Sequence, residues 1–100
     1  MIHELKTWPE CFWDIVNRRK TFEVRKNDRN FRIGDRLELL EFDPETNKYT
    51  GFMAVVHVVF ACALPLLDEY IGMSIEFGYV CRLPSVQRLQ DQLKKDEVIE

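Results

Sequence analysis

The three cysteines, Cys11, Cys62 and Cys81, include no close pair. That argues against a disulfide framework and a zinc-ligand spacing, and points to a reducing cytoplasm. A long apolar run is also missing. The longest stretch, Ala54 to Leu64, contains His57 and stops at Pro65, short of the roughly 20 residues that span a membrane. It therefore reads as a strand, and no membrane partner is expected. The opening Met1-Ile2-His3-Glu4-Leu5-Lys6 has no apolar stretch behind a basic one, unlike a signal or transit peptide. The two histidines have no second ligand at metal spacing, so neither metal nor cofactor is expected. Internal repeats and low-complexity tracts are absent.

What is present suits one domain covering residues 1–100. The chain has 100 residues, 46% of them apolar and 12% aromatic, enough for a core without metal or disulfide support. Its net charge of -3 is unevenly spread. Residues 18–36 hold eight basic residues against three acidic ones, whereas residues 37–100 hold five against eleven. A local basic patch on an acidic chain suits a small or localised anionic ligand better than a long duplex.

Periodicity outlines the elements. Ile2 to Lys6 alternates, Thr7 reads as a helix cap and Pro9 as a first-turn residue, and Phe12, Ile15 and Val16 recur at helical spacing over Pro9 to Arg18. From Thr21 the period becomes two. Phe22 and Val24 are expected inward, which places Thr21, Glu23 and Arg25 together on the opposite face. Gly34 marks a turn into a strand over Arg36 to Phe42 with Leu37 and Leu39 inward. Lys48 to Ala63 reads as a long strand buried on both faces around Val55 to Phe60, with His57 a core histidine. Over residues 65–78 the run Leu66 to Tyr70 suits a helical turn while Gly72 and Gly78 argue for a loop, so the stretch is assigned to neither, and a strand over Tyr79 to Leu83 follows. Val86, Leu89 and Leu93 suggest a final helix that frays from Asp96 to Glu100. Trp13 and the cysteines read as packing residues.

The run Lys20-Thr21-Phe22-Glu23-Val24-Arg25 resembles the signature of ASCH domains, Gly-x-Lys-x-x-Glu-x-Arg, with Arg18 standing in place of the glycine. Adding His3-Glu4-Leu5-Lys6, Lys26-Asn27-Asp28-Arg29, Gly34-Asp35, Asp43-Pro44 and Tyr49-Thr50-Gly51, the string is similar to DUF3850, an ASCH-like branch found in bacteria and their phages. The resemblance implies an α+β fold, a small PUA-like β-barrel with a helix after the first strand; residues 63–77 and 85–100 follow no pattern of the family, and the C-terminal helical extension over 85–100 is read from periodicity alone. It further implies a cleft beside the first helix that binds RNA or a modified nucleoside.

Lys6, Thr21, Arg25 and His3 are the implied ligand contacts, and Trp8 either stacks on a base or packs on the helix. Arg25 would offer a planar fork, Lys20 a point charge and Glu23 a hydrogen-bond acceptor, all on an exposed face. Other ASCH-like proteins are amidohydrolases on acetylated cytidine, in which a lysine activates a threonine three residues later, or ribonucleases. Here Glu23 holds that threonine position and Thr21 points away from Lys20, so a hydrolase would use Lys20 and Glu23 with a water nucleophile. A third reading is a phage-type protein that binds and inhibits a host protein.

Overall fold

The computed structural model describes residues 1–99, whose order is β1 (Ile2–Thr7), α1 (Pro9–Val16), β2 (Phe22–Lys26), β3 (Arg36–Asp43), β4 (Lys48–Ala63), β5 (Tyr70–Arg82) and α2 (Gln87–Ile99). The five strands form one curled sheet in the order β1-β3-β4-β5-β2, a half-barrel of α+β class. Only β1 and β3 run parallel. The crossover between those two strands contains α1 and β2, so β2 is carried to the far edge of the sheet. No helix among the described residues is long and apolar enough to cross a membrane.

Alternation puts Leu5, Leu37, Leu39, Val56 and Val58 on one face, where Phe12 and Ile15 of α1 close over them. This inner face is the main core. The opposite, outer face of β3 and β4 would be wet, but α2 lays Leu89 against Leu40, Met53 and Val55. The two layers together bury β4 on both faces from Met53 to Val56, earlier along the strand than its apolar run suggests. His57, Val59 and Phe60 lie beyond this cover and are exposed. His57 is therefore not a core histidine; it is on the outer face of a strand whose inner face holds Val56 and Val58.

Two further corrections come from the backbone. The stretch left unassigned is the tip of a hairpin followed by most of β5, and both of its glycines lie inside the strand. At Gly78 a Cβ would stand 2.9 Å from the Val55 carbonyl oxygen, beside a register shift between Val55 and Val56. A glycine at a bulge allows this close approach, so it marks a strand irregularity rather than a loop. The final helix continues through the segment expected to fray, as far as Ile99; Glu100 lies outside the described residues.

Helix α1 ends at Val16, two residues early, in a specific turn. Arg19 N–H donates to Asp14 O at 2.8 Å and Arg18 N–H to Ile15 O at 3.0 Å, the paired bonds of a Schellman cap. Such a cap needs a left-handed residue, and Arg18 supplies it at φ 61°. Glycine is the residue without a steric penalty there. The arginine gains a compensating contact, its guanidinium carbon lying 3.9 Å from the centroid of the Phe77 ring.

Arg18→Gly and Arg18→Ala both remove that contact, but only alanine keeps a Cβ in the left-handed conformation. The alanine variant should be less stable than the glycine variant by about 1 kcal/mol, read from urea denaturation midpoints.

Candidate functional site

The Schellman turn directs the chain from α1 into β2, and the register of β2 decides which side chains turn inward. Glu23 pairs with Met73, and Met73 with Ala61. Met73 is a core residue, so Glu23 shares its face and is 2% exposed. Phe22 and Val24 point out at 54% and 43% exposure. The alternation expected in β2 is real, but its phase is the reverse of the one that hydrophobicity selects. Charge pairing makes this tolerable, since a buried carboxylate requires cationic or hydrogen-bond partners.

Those partners are close. Lys20 Nζ is 3.1 Å from Glu23 Oε1 and Arg25 Nε is 2.7 Å from Glu23 Oε2. Arg25 then reaches across the opening of the half-barrel, donating from Nη1 to Lys6 O at 3.0 Å and from Nη2 to Thr7 Oγ1 at 3.1 Å. Thr7 Oγ1 in turn donates to Leu5 O at 3.2 Å. Thr7 is thus no helix cap; Trp8 occupies the cap position without a side-chain bond. Arg29 donates to Glu4 O. Just before β1 the Met1 carbonyl accepts from Arg36 N–H of β3, so odd-numbered groups face β3 and the even-numbered carbonyls of Glu4 and Lys6 face the unpaired edge. Two arginines satisfy carbonyls that a neighbouring strand would otherwise take.

Around this seam lies a depression of about 280 Å³, bordered by Lys6, Thr7, Trp8, Lys20, Glu23 and Arg25. Trp8 presents its indole at 61% exposure, whereas Trp13 packs edge-on against Phe12 and Phe52 and donates to Glu41 Oε2 at 2.6 Å. The structure therefore brings together Lys6, Trp8, Lys20, Glu23 and Arg25. Thr21 is exposed and outside the lining. The Arg25 fork is engaged with the protein rather than open on an exposed face. Cys11 borders the cleft but is exposed, as is Cys62, so the packing role read for the cysteines holds only for half-buried Cys81.

His3 is elsewhere. It is buried, its Nε2 donates to Asp35 Oδ2 at 2.8 Å, and its ring meets Phe31 edge-on. It borders a second, larger depression of about 560 Å³ between β1 and α2, where Arg88 grips Glu4 in a two-bond fork at 3.1 and 2.7 Å. The hydrogen bond from Arg88 holds the Glu4 carboxyl below its usual range. Burial alone would raise the Asp35 carboxyl, but hydrogen bonds from His3, the Arg32 N–H and the N-terminal ammonium outweigh it and lower it. Sequence reasoning missed Arg29, Arg88 and the role of Thr7, because their partners lie on other elements and no local pattern marks them.

Arg25→Ala should cost about 2–3 kcal/mol in urea unfolding, because it leaves a buried carboxylate half-compensated and an edge carbonyl without its donor. Lys20→Ala should cost only about 1 kcal/mol, since the ammonium is partly solvated. Equal losses would contradict the bridging role of Arg25.

Asp35 generates a pH dependence of definite sign. A carboxyl lowered in the folded state stabilises it at every pH above the unfolded value of about 3.9, and loses that contribution as pH falls through the lowered value. The stability advantage of the native chain over Asp35→Asn should be present between about pH 5 and pH 7 and shrink below about pH 4, measured by thermal melts across that range.

One family, described as a domain of unknown function (DUF3850), matches residues 2–75, about three quarters of the chain. No curated protein matches it. The matched span contains β1 through the first half of β5 and hence the whole cleft, and leaves α2 outside.

Proposed function

The chain belongs to the DUF3850 family, and we propose that its cleft binds single-stranded RNA or a modified nucleoside one base at a time. The observation that carries this reading is the buried Glu23 carboxylate, held by two cations at an open depression. A salt bridge on the outside of a sheet would leave the carboxylate wet. A pre-positioned polar group with a solvent path is the usual arrangement of a ligand site. The depression lies just below the range of about 300–1,000 Å³ typical of small-molecule pockets, a size for one base rather than a duplex. Trp8 at its border supplies a stacking surface of the kind that single-strand readers use.

Lys20 is the principal contact, because an ammonium has three donors and only one is used on Glu23. Lys6 adds a second exposed cation. Arg25 positions Glu23 instead of meeting the ligand. The resemblance to ASCH domains supports the same ligand class. The hydrolase reading is favoured by one feature, the Lys20–Glu23 pair at the cleft. It would run by direct attack of water on the amide carbonyl, with Lys20 polarising the oxygen and Glu23 taking the water proton and returning it to the amine nitrogen as the C–N bond breaks.

Titration of short single-stranded RNA and of free nucleosides, followed by indole fluorescence, tests the proposal. Binding should weaken with salt, and Lys20→Ala should cost about 1–3 kcal/mol of affinity. Trp8→Ala should lower it by about 1–3 kcal/mol through lost stacking. Turnover of an acylated cytidine without an acyl adduct on the intact chain, abolished by Glu23→Gln, would transfer the assignment to the hydrolase. Neither binding nor turnover would remove both and leave inhibition of a host protein as the remaining reading.

A further inference from the structure

The reversed phase of β2 leaves an apolar surface on the outer face of β2, β5 and β4, which meets the border of the cleft at Val24. The antiparallel register sets Phe22 and Phe60 on either side of Ser74, and Val24 and Cys62 on either side of Gly72. Phe60 is 55% exposed, matching Phe22. Leu64 leans over Gly72, where a Cβ would meet its Cδ2 at 3.2 Å, and extends the surface. A contiguous patch of this composition marks an interaction site.

Charge flanks the patch at opposite ends of the same face. Lys26, in register with Tyr70, follows the Val24–Gly72–Cys62 rung. Glu76, in register with His57, precedes the Phe22–Ser74–Phe60 rung. Lys26 makes only a solvated contact with Glu69 at 3.8 Å, worth little.

We propose that this face packs against the same face of a second copy, about a two-fold axis that lies in the interface, crosses the strands and passes between Gly72 and Ser74. That operation reverses the strand direction and keeps each strand opposite its own counterpart. Phe22 then meets Val24 of the second copy and Phe60 meets Cys62, a larger side chain against a smaller one each time, while Ser74 comes beside the Leu64 side chain that covers Gly72. Glu76 comes opposite Tyr70 and beside Lys26 of the second copy, so both ends of the patch pair opposite charges. A two-fold along the strands would instead set Glu76 on Glu76 and Phe22 on Phe60. This self-complementarity of size and charge is what selects a second copy as the occupant.

Sedimentation velocity over a concentration series tests the dimer. A reversible dimer is expected, and Phe60→Glu should raise its dissociation constant at least about tenfold. Lys26→Glu and Glu76→Lys should each raise it about fivefold, and the double reversal should recover most of the loss. A chain monomeric at every concentration, a dimer indifferent to Phe60→Glu, or a double reversal as weak as the single ones would overturn the proposal. Circular dichroism confirms that the variants are folded; should Phe60→Glu fail, the charge reversals on exposed side chains decide alone. Phe60, Lys26 and Glu76 lie outside the cleft lining, so these substitutions test the dimer without altering a cleft residue.

Discussion

The half-barrel depends on one carboxylate held between two cations. Glu23 is buried on the inner face of an edge strand, Lys20 and Arg25 neutralise it, and Arg25 carries the connection across the gap to β1. Strand pairing ends at β1 on one side and β2 on the other, so side chains complete what backbone hydrogen bonds would do in a closed barrel. Arg25 uses its Nε and both Nη groups at once, two bonds being to one strand and one to its own. A lysine has the charge but not the fork, and could not serve all three acceptors with one fixed geometry.

A buried ion pair is weak evidence of stability by itself, because well-packed apolar groups often do as well. Its value here is geometric. An apolar side chain at position 23 would fill the inner face but could neither orient Arg25 toward β1 nor leave a polar group beside the depression. The cluster thus joins the closure of the fold to the chemistry of the cleft, and a change in one would be felt in the other.

The same choice has a consequence on the opposite face. Since successive side chains of a strand point to opposite sides, turning Glu23 inward obliges Phe22 and Val24 to point outward. They align with Phe60 and Cys62 across β5, while α2 covers the outer face elsewhere, over Leu40, Met53 and Val55. The sheet therefore has a core on its inner face, one helix-covered outer region and one uncovered apolar region.

Local pattern determined α1 with Phe12 and Ile15, the inward Leu37 and Leu39 of β3, the extent of β4, and the string from Lys20 to Arg25 that marks the site, because periodicity and turn chemistry depend on near neighbours. It did not determine which face of β2 is inside, since alternation specifies a period and not a phase, and the deciding partners, Met73 of β5 and Thr7 and Lys6 of β1, are far along the chain. The histidines exchanged roles for the same reason. His3 found a buried carboxylate at Asp35, 32 residues away, and His57 is on an outer face beyond the cover of Val55. Gly72 and Gly78 look like loop residues until the Leu64 side chain over the first, and a bulge with a neighbouring carbonyl at the second, show why a strand holds them. The residue types for a charged cleft were written in the sequence; that the cleft is built from the inward side of a strand was decided by long-range pairing, because only tertiary contacts can compensate a buried charge.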